Sequence, residues 1–101
     1  MDLSINEGTL VVTGGPGDTP QTAIVIKKTP RGLSAAGAET MLLGKWFGER
    51  GKNWTMKRQE MVQIDGRTYD TYEVVLTDGS DRRLFFDITD WLTRTSRTQR
   101  P

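Results

Sequence analysis

The sequence predicts an α+β fold in which one main helix packs on an antiparallel sheet of four to five strands. Three observations support it. Residues 54–88 alternate in polarity around two turn signals, Asp65-Gly66 and Asp78-Gly79-Ser80, as expected for three strands joined in a meander. Residues 34–47 repeat apolar side chains at helical spacing. Two short β-branched runs precede that helix and favour two further strands.

The region before the helix is expected to form a loose start, a strand, a loop and a second strand. Residues 1–8 are polar and show no period, whereas residues 9–13 are β-branched. Residues 14–20 are rich in glycine and proline and lack the Gly-Lys-Ser/Thr ending of a phosphate-binding loop. Residues 21–28 leave two interpretations open: Thr19-Pro20 suits a helix start, but the β-branched core favours the strand that we predict.

The helix is predicted over residues 34–47. Ser34 suits the N-cap position because its hydroxyl can accept a hydrogen bond from a free amide of the first turn. Gly48 suits the position just past the end. Five residues recur at helical spacing and should form the stripe that faces the sheet: Ala38, Met41, Leu42, Lys45 and Trp46.

Alternation in the meander predicts which sheet face the helix covers. The apolar even-numbered residues should share that face: Tyr72, Val74, Leu76, Leu84, Phe86 and Ile88, together with Trp54, Met56, Val62 and Ile64 of the first strand. A three-residue loop ending at Gly66 would pair Trp54 with Leu76. The same register would pair Glu60 with Asp70, and two like charges directly opposite count against it.

The element order is therefore β-β-α-β-β-β, followed by a short helical turn around residues 89–92. The arrangement is similar to cystatin-like and related small α+β folds. This likeness is one of architecture alone, since no sequence motif carries it, and a fold does not specify a function. We expect residues 1–92 to form a single domain and residues 93–101, which contain three arginines and no apolar side chain, to be a disordered basic tail.

Composition narrows the function classes. The 101 residues contain no cysteine and no histidine, which removes the commonest nucleophile, general base and metal ligand together. No catalytic motif is evident, so we expect a protein that is not an enzyme and uses no cofactor or metal. Asp78 is explained as a turn residue, Asp90 as a helix cap, and Asp87 as a solvent-facing carboxylate paired with Arg83 or Lys57. Without a membrane-length apolar run, we expect a soluble, cytoplasmic protein.

The leading functional hypothesis is an interaction module that binds a protein partner or itself, most simply as a homodimer. A single helix can cover one sheet face only, and the odd-numbered face also carries apolar side chains. These residues are the predicted interface: Met61, Tyr69, Val75 and Phe85.

Two alternatives use the region around the end of the helix. Lys52, Lys57 and Arg58 lie among aromatic residues, a combination typical of proteins that bind single-stranded nucleic acid. A net charge of only +1 argues against that function. The other alternative is a small-ligand pocket between helix and sheet, near Trp46 and Trp54.

Overall fold

The computed structural model describes residues 3–7 and 10–93 and confirms the α+β class, with one main helix and a short C-terminal helical turn. The strands are β1 (Leu3–Glu7), β2 (Leu10–Gly14), β3 (Ile24–Lys28), β4 (Trp54–Ile64), β5 (Arg67–Leu76) and β6 (Asp81–Asp87). Helix α1 spans Ala35–Phe47 between β3 and β4, and residues 89–93 form the final helical turn.

The sheet is mixed and has the strand order β1-β2-β3-β6-β5-β4. It consists of two antiparallel meanders, β1-β2-β3 and β4-β5-β6, joined by a parallel pairing of β3 with β6 at Ile24↔Phe86 and Val25↔Asp87. Helix α1 carries the chain from the middle of the sheet to its far edge. Strand β4 is therefore an edge strand within the part of the chain that the structure describes.

Two N-terminal segments differ from expectation. Leu3–Glu7, expected to be irregular, pairs with β2 as strand β1. The region around residues 21–28 contains both a short helical turn and the predicted strand. Thr19 caps a 3-10 turn at Pro20–Thr22, and the β-branched residues that follow form β3. The expected tail lies outside the described residues, except for Thr93, which is helical and is the last residue that the structure describes.

Helix α1 begins as predicted, because the Ser34 hydroxyl accepts a hydrogen bond from the Gly37 amide, and Gly48 lies at its end. Its buried face is rotated from the predicted stripe, since Met41 is exposed and Leu43 is buried. The buried residues of the helix are Ala35, Ala38, Glu39, Leu42 and Leu43. They pack on the even-numbered side chains of the sheet, including Tyr72, Val74, Leu84 and Phe86, in the main core. Glu39 is therefore a carboxyl group buried between the helix and the sheet.

The β4–β5 hairpin differs from the prediction in the place of its extra residue. Trp54 pairs with Leu76 as predicted, but the turn contains two residues, Asp65 and Gly66, which both have positive φ, rather than three. The extra residue lies instead in β4, as a β-bulge at Lys57. The bulge moves Glu60 opposite Thr71, so the unfavourable pairing with Asp70 does not form.

The bulge also changes which face the second half of β4 presents. Beyond it, Val62 pairs with Tyr69, and Met61 pairs with Asp70. Because directly opposed residues point to the same side of a sheet, Val62 lies on the face away from α1 and Met61 on the helix side. The even-face prediction is thus correct for Trp54 and Met56 and wrong for Val62 and Ile64.

Candidate functional site

The sheet face that α1 leaves uncovered, here called the back face, carries a small apolar cluster of its own. Ala23, Tyr69 and Phe85 are buried there, and Val62 packs against them. The Tyr69 and Phe85 rings meet edge to face, with centroids 6.2 Å apart. Part of the predicted odd face is thus packed, and its two aromatic residues contact each other.

The four predicted interface residues do not share one face. Tyr69 and Phe85 are 6% and 7% exposed and lie within the back-face cluster. Val75 is half-buried on the same face, whereas Met61 is 67% exposed on the opposite side, because of the bulge at Lys57. The remaining apolar surface of the back face consists of half-buried or exposed residues: Val11, Val25, Val62, Ile64 and Val75.

The back face also carries side chains of both signs of charge. Arg67 binds the Asp87 carboxylate with an Nε–Oδ2 distance of 2.6 Å. Arg83 stands opposite Glu73 and lies over the Phe85 ring, at 5.1 Å from its centroid. The expectation that Asp87 points to solvent and pairs with Arg83 or Lys57 is therefore wrong, since Asp87 is 5% exposed and paired with Arg67.

Two opposing effects set the proton affinity of Asp87. Burial by itself would raise its pKa, but hydrogen bonds from Arg67 and from the Thr89 amide outweigh burial and hold the pKa below its ordinary value. Asp87 is therefore a buried, charged carboxylate at the end of β6. Its hydrogen bonds with Arg67 and Thr89 connect β6 to β5 and to the helical turn.

The predicted basic residues occupy the start of β4 and the loop before it. Lys57 binds Asp81 at 3.3 Å and Arg58 binds Glu60 at 3.2 Å, so both cations have acidic partners. Lys52 is exposed in the preceding loop. The neighbouring aromatic rings are packed: Trp46 stacks on Phe86 with centroids 6.2 Å apart, and Trp54 belongs to the main core.

The two tryptophans of the predicted ligand pocket belong to one core and are not arranged around an open space. The Trp54 indole donates a 2.8 Å hydrogen bond to the Gly48 carbonyl, and the Arg50 guanidinium lies over its ring. A shallow depression of about 120 Å³ lies beside Trp54. It is lined by Lys52, Asn53, Trp54, Thr55, Val75, Leu76 and Thr77, and Trp46 does not contribute to it.

A buried acid cluster links α1 to β5, and sequence reasoning missed it. Glu39 is 0% exposed, and its Oε1 accepts a 2.5 Å hydrogen bond from the Tyr72 hydroxyl. The Tyr72 oxygen in turn accepts from the Gln59 amide at 3.3 Å. Glu39 Oε2 finds no donor. Burial chiefly, and then the adjacent Asp70 carboxylate, raise the pKa of Glu39 to about 10.

The buried cluster acts as a structural link between helix and sheet. A strongly raised pKa can indicate a catalytic acid, but such a group must be able to reach a substrate. The Glu39 carboxyl is fully enclosed. Protonated at neutral pH, it can accept from Tyr72 with one oxygen and donate to Asp70 with the other. Across the described residues, no group of three or more acidic side chains is arranged to hold a metal ion.

Comparisons with protein-family models, curated proteins and solved structures found no match to this chain. None of the helices in the described part of the chain has the length and apolar character needed to cross a membrane.

Proposed function

We propose that this protein is a small non-enzymatic interaction module that self-associates through its sheet. The observation that carries the proposal is the uneven covering of that sheet: α1 packs on one face, and the back face retains partly exposed apolar residues. Apolar surface left outside the core favours association with another protein.

The charges of the back face favour a second copy over a strongly charged partner. Arg58, Arg67 and Arg83 share the back face with Glu60, Glu73 and Asp81. A two-fold arrangement sets residue i of one copy against residue j of the other and j against i, and only residues on the axis meet themselves, so a face that carries both signs of charge can pair with itself. A polyanion such as nucleic acid would meet the acids as well as the arginines. The back face therefore fits its own copy better than nucleic acid.

Sedimentation velocity over a wide range of micromolar protein concentrations tests the proposal. We expect a concentration-dependent dimer, which Val75→Lys on the back face should weaken. Met41→Lys is the matched control because it makes the same type of change on the exposed side of α1. Phe85→Asp is unsuitable as a test, since it would bury a charge inside the cluster and threaten folding. A wild-type chain that stays monomeric throughout the range would overturn the proposal.

A further inference from the structure

Strand β4 exposes an unpaired backbone edge over a short stretch. The first part of its outer edge is covered, because the Gly51 amide donates to the Trp54 carbonyl at 2.6 Å, and Arg50 forms a parallel bridge with Trp54. Beyond the bulge at Lys57, the strand continues to Ile64 as the sheet's edge among the described residues. This stretch of β4, residues 58–64, is called the open edge.

The hydrogen-bonding direction of each residue in the open edge follows from the geometry of the hairpin. The two-residue turn makes Ile64 and Arg67 a hydrogen-bonded pair, so the even-numbered residues of the open edge direct their backbone groups toward β5. The Thr71 hydroxyl donates to the Glu60 carbonyl at 3.2 Å, which agrees with this direction. The amides and carbonyls of Gln59, Met61 and Gln63 therefore point away from the sheet.

We infer that the open edge pairs, antiparallel, with the open edge of a second copy, about a two-fold axis at Met61. The bulge at Lys57 interrupts the ladder, so pairing has to fit within residues 58–64, and Met61 is the midpoint of that range. The register then sets Met61 opposite Met61 of the second copy and Gln59 opposite Gln63. Two six-stranded sheets become one continuous sheet.

Side chains on both faces suit this register. Met61, 67% exposed in the single chain, would contact its own copy on the helix side. On the back face, Glu60 stands opposite Val62 of the second copy and Arg58 opposite Ile64, so no like charges are opposed. At the ends of the stretch, Lys57 of each copy faces Asp65 of the other. An axis at Glu60 would instead oppose two glutamates, which disfavours it.

Unpaired strand edges are commonly protected by proline, by lysine or by a bulge. In this protein the bulge at Lys57 lies before the open edge. The residues of the open edge whose backbone groups point outward, Gln59, Met61 and Gln63, are uncharged. Such an edge is a template for another strand. This inference rests on the proposed function, since it specifies the partner and the mode of self-association.

Single-cysteine crosslinking tests the register directly, because the wild-type chain has no cysteine. With the axis at Met61, the two copies of that residue form a hydrogen-bonded pair whose Cα atoms lie about 5.5 Å apart, a separation that a disulfide spans. Met61→Cys should therefore form a covalent dimer readily with oxidised glutathione. Gln59→Cys is the matched control, since Gln59 faces Gln63 of the other copy and should crosslink only when mixed with Gln63→Cys.

A proline substitution tests the backbone bonds. Met61→Pro removes an amide that points outward, so the ladder to β5 keeps its hydrogen bonds. We expect a folded protein, checked by near-ultraviolet circular dichroism, that sediments as a monomer, while Met61→Ser keeps measurable dimer. If Met61→Pro fails to fold, the crosslinking result decides alone.

The outcomes separate this inference from the proposed function. A wild-type dimer that does not crosslink through Met61→Cys would overturn the open-edge register and leave self-association through the back face standing. A wild-type chain that is strictly monomeric would overturn both. Selective crosslinking of Met61→Cys supports the open-edge register and the self-association on which it rests, and the effect of Val75→Lys then decides separately whether the back face takes part.

Discussion

The Glu39 carboxyl of α1 and the Tyr72 hydroxyl of β5 form a 2.5 Å hydrogen bond inside the core, across 33 positions of sequence. Both residues are buried and their pKa values are raised, each by burial first and then by the other acidic groups nearby. The bond is therefore one between two protonated groups at neutral pH, with the Asp70 side chain beside them.

This arrangement predicts that Glu39→Gln stabilises the protein at neutral and alkaline pH. The pKa of Glu39 is about 10 in the folded chain and 4.5 in the reference state, so the folded chain holds the extra proton between those values. The free energy of unfolding then falls as pH rises through that window, by at most about 1.4 kcal/mol per pH unit. Glutamine resembles the protonated acid and has no proton to lose.

Urea denaturation from pH 5 to pH 9 measures this effect. The difference in unfolding free energy between Glu39→Gln and wild type should grow in favour of the variant as pH rises. Glu49→Gln is the control, since Glu49 lies exposed beyond the end of the helix. Parallel pH profiles for wild type and Glu39→Gln would show that Glu39 has an ordinary proton affinity in the folded protein.

The ion pair on the back face predicts a stability loss of opposite pH dependence. Arg67→Met leaves the Asp87 carboxylate, 5% exposed, without its guanidinium partner, although the Thr89 amide still donates to it. We expect a loss of about 1–3 kcal/mol at neutral pH, toward the lower end because Arg67 itself is 43% exposed. The pKa of Asp87 is lowered in the folded chain, so this stabilisation exists above its ordinary value of 3.8 and disappears as pH falls.

Arg83→Met provides the comparison for that loss, because Arg83 is the arginine that the sequence suggested as the partner of Asp87. In the structure it stands opposite Glu73, so its removal should lower the free energy of unfolding less than removal of Arg67 does. It should also leave unchanged the way in which stability falls at acidic pH. Thermal unfolding between pH 3 and pH 7 distinguishes the two arginines. Equal losses with equal pH dependence would contradict the assignment of Arg67.

Two glycines with similar backbone angles predict different costs of substitution. Gly66 has a φ of +79° and open space around it, so Gly66→Ala should lose about 1 kcal/mol from backbone strain alone. Gly14 has a φ of +83°, and a Cβ there would lie 2.5 Å from the Ala23 carbonyl oxygen. Gly14→Ala should lose clearly more, because backbone atoms have to move. Equal midpoints of urea denaturation for the two variants would remove this steric argument.

Local signals predicted the elements of this fold well. The Ser34 cap, the glycine after α1 and the two turn signals each act within a few residues, and each is present in the structure. The pairing of Trp54 with Leu76 was also predicted, although the extra residue assigned to the turn lies in the bulge at Lys57 instead. Short-range chemistry therefore accounts for the helix and the meander.

The features that were not predicted depend on contacts between residues that are distant in the sequence. Glu39 occupies a core position of α1, and its acceptability depends on Tyr72 and Asp70 of a distant strand. A stripe through Ala35, Ala38, Glu39 and Leu42 has the same helical spacing as the predicted stripe through Met41, so spacing alone did not decide between them. The partners of Asp87 could not be derived, because Arg67 reaches it only through the pairing of β5 with β6.

The bulge at Lys57 gives a last prediction, since it is one extra residue in an otherwise regular hairpin. In the structure Met56 pairs with Val74 and Arg58 with Glu73, so deletion of Lys57 would join these pairs into an uninterrupted ladder and leave every other side chain on its present face. We expect the deletion variant to fold with stability within about 1 kcal/mol of wild type, because the Lys57–Asp81 ion pair that it removes is exposed and contributes little. Lys57→Ala measures that contribution separately. Urea denaturation of both variants is the measurement, and a deletion that unfolds the chain while Lys57→Ala does not would show that the bend of the bulge itself is required for β4 to reach the core.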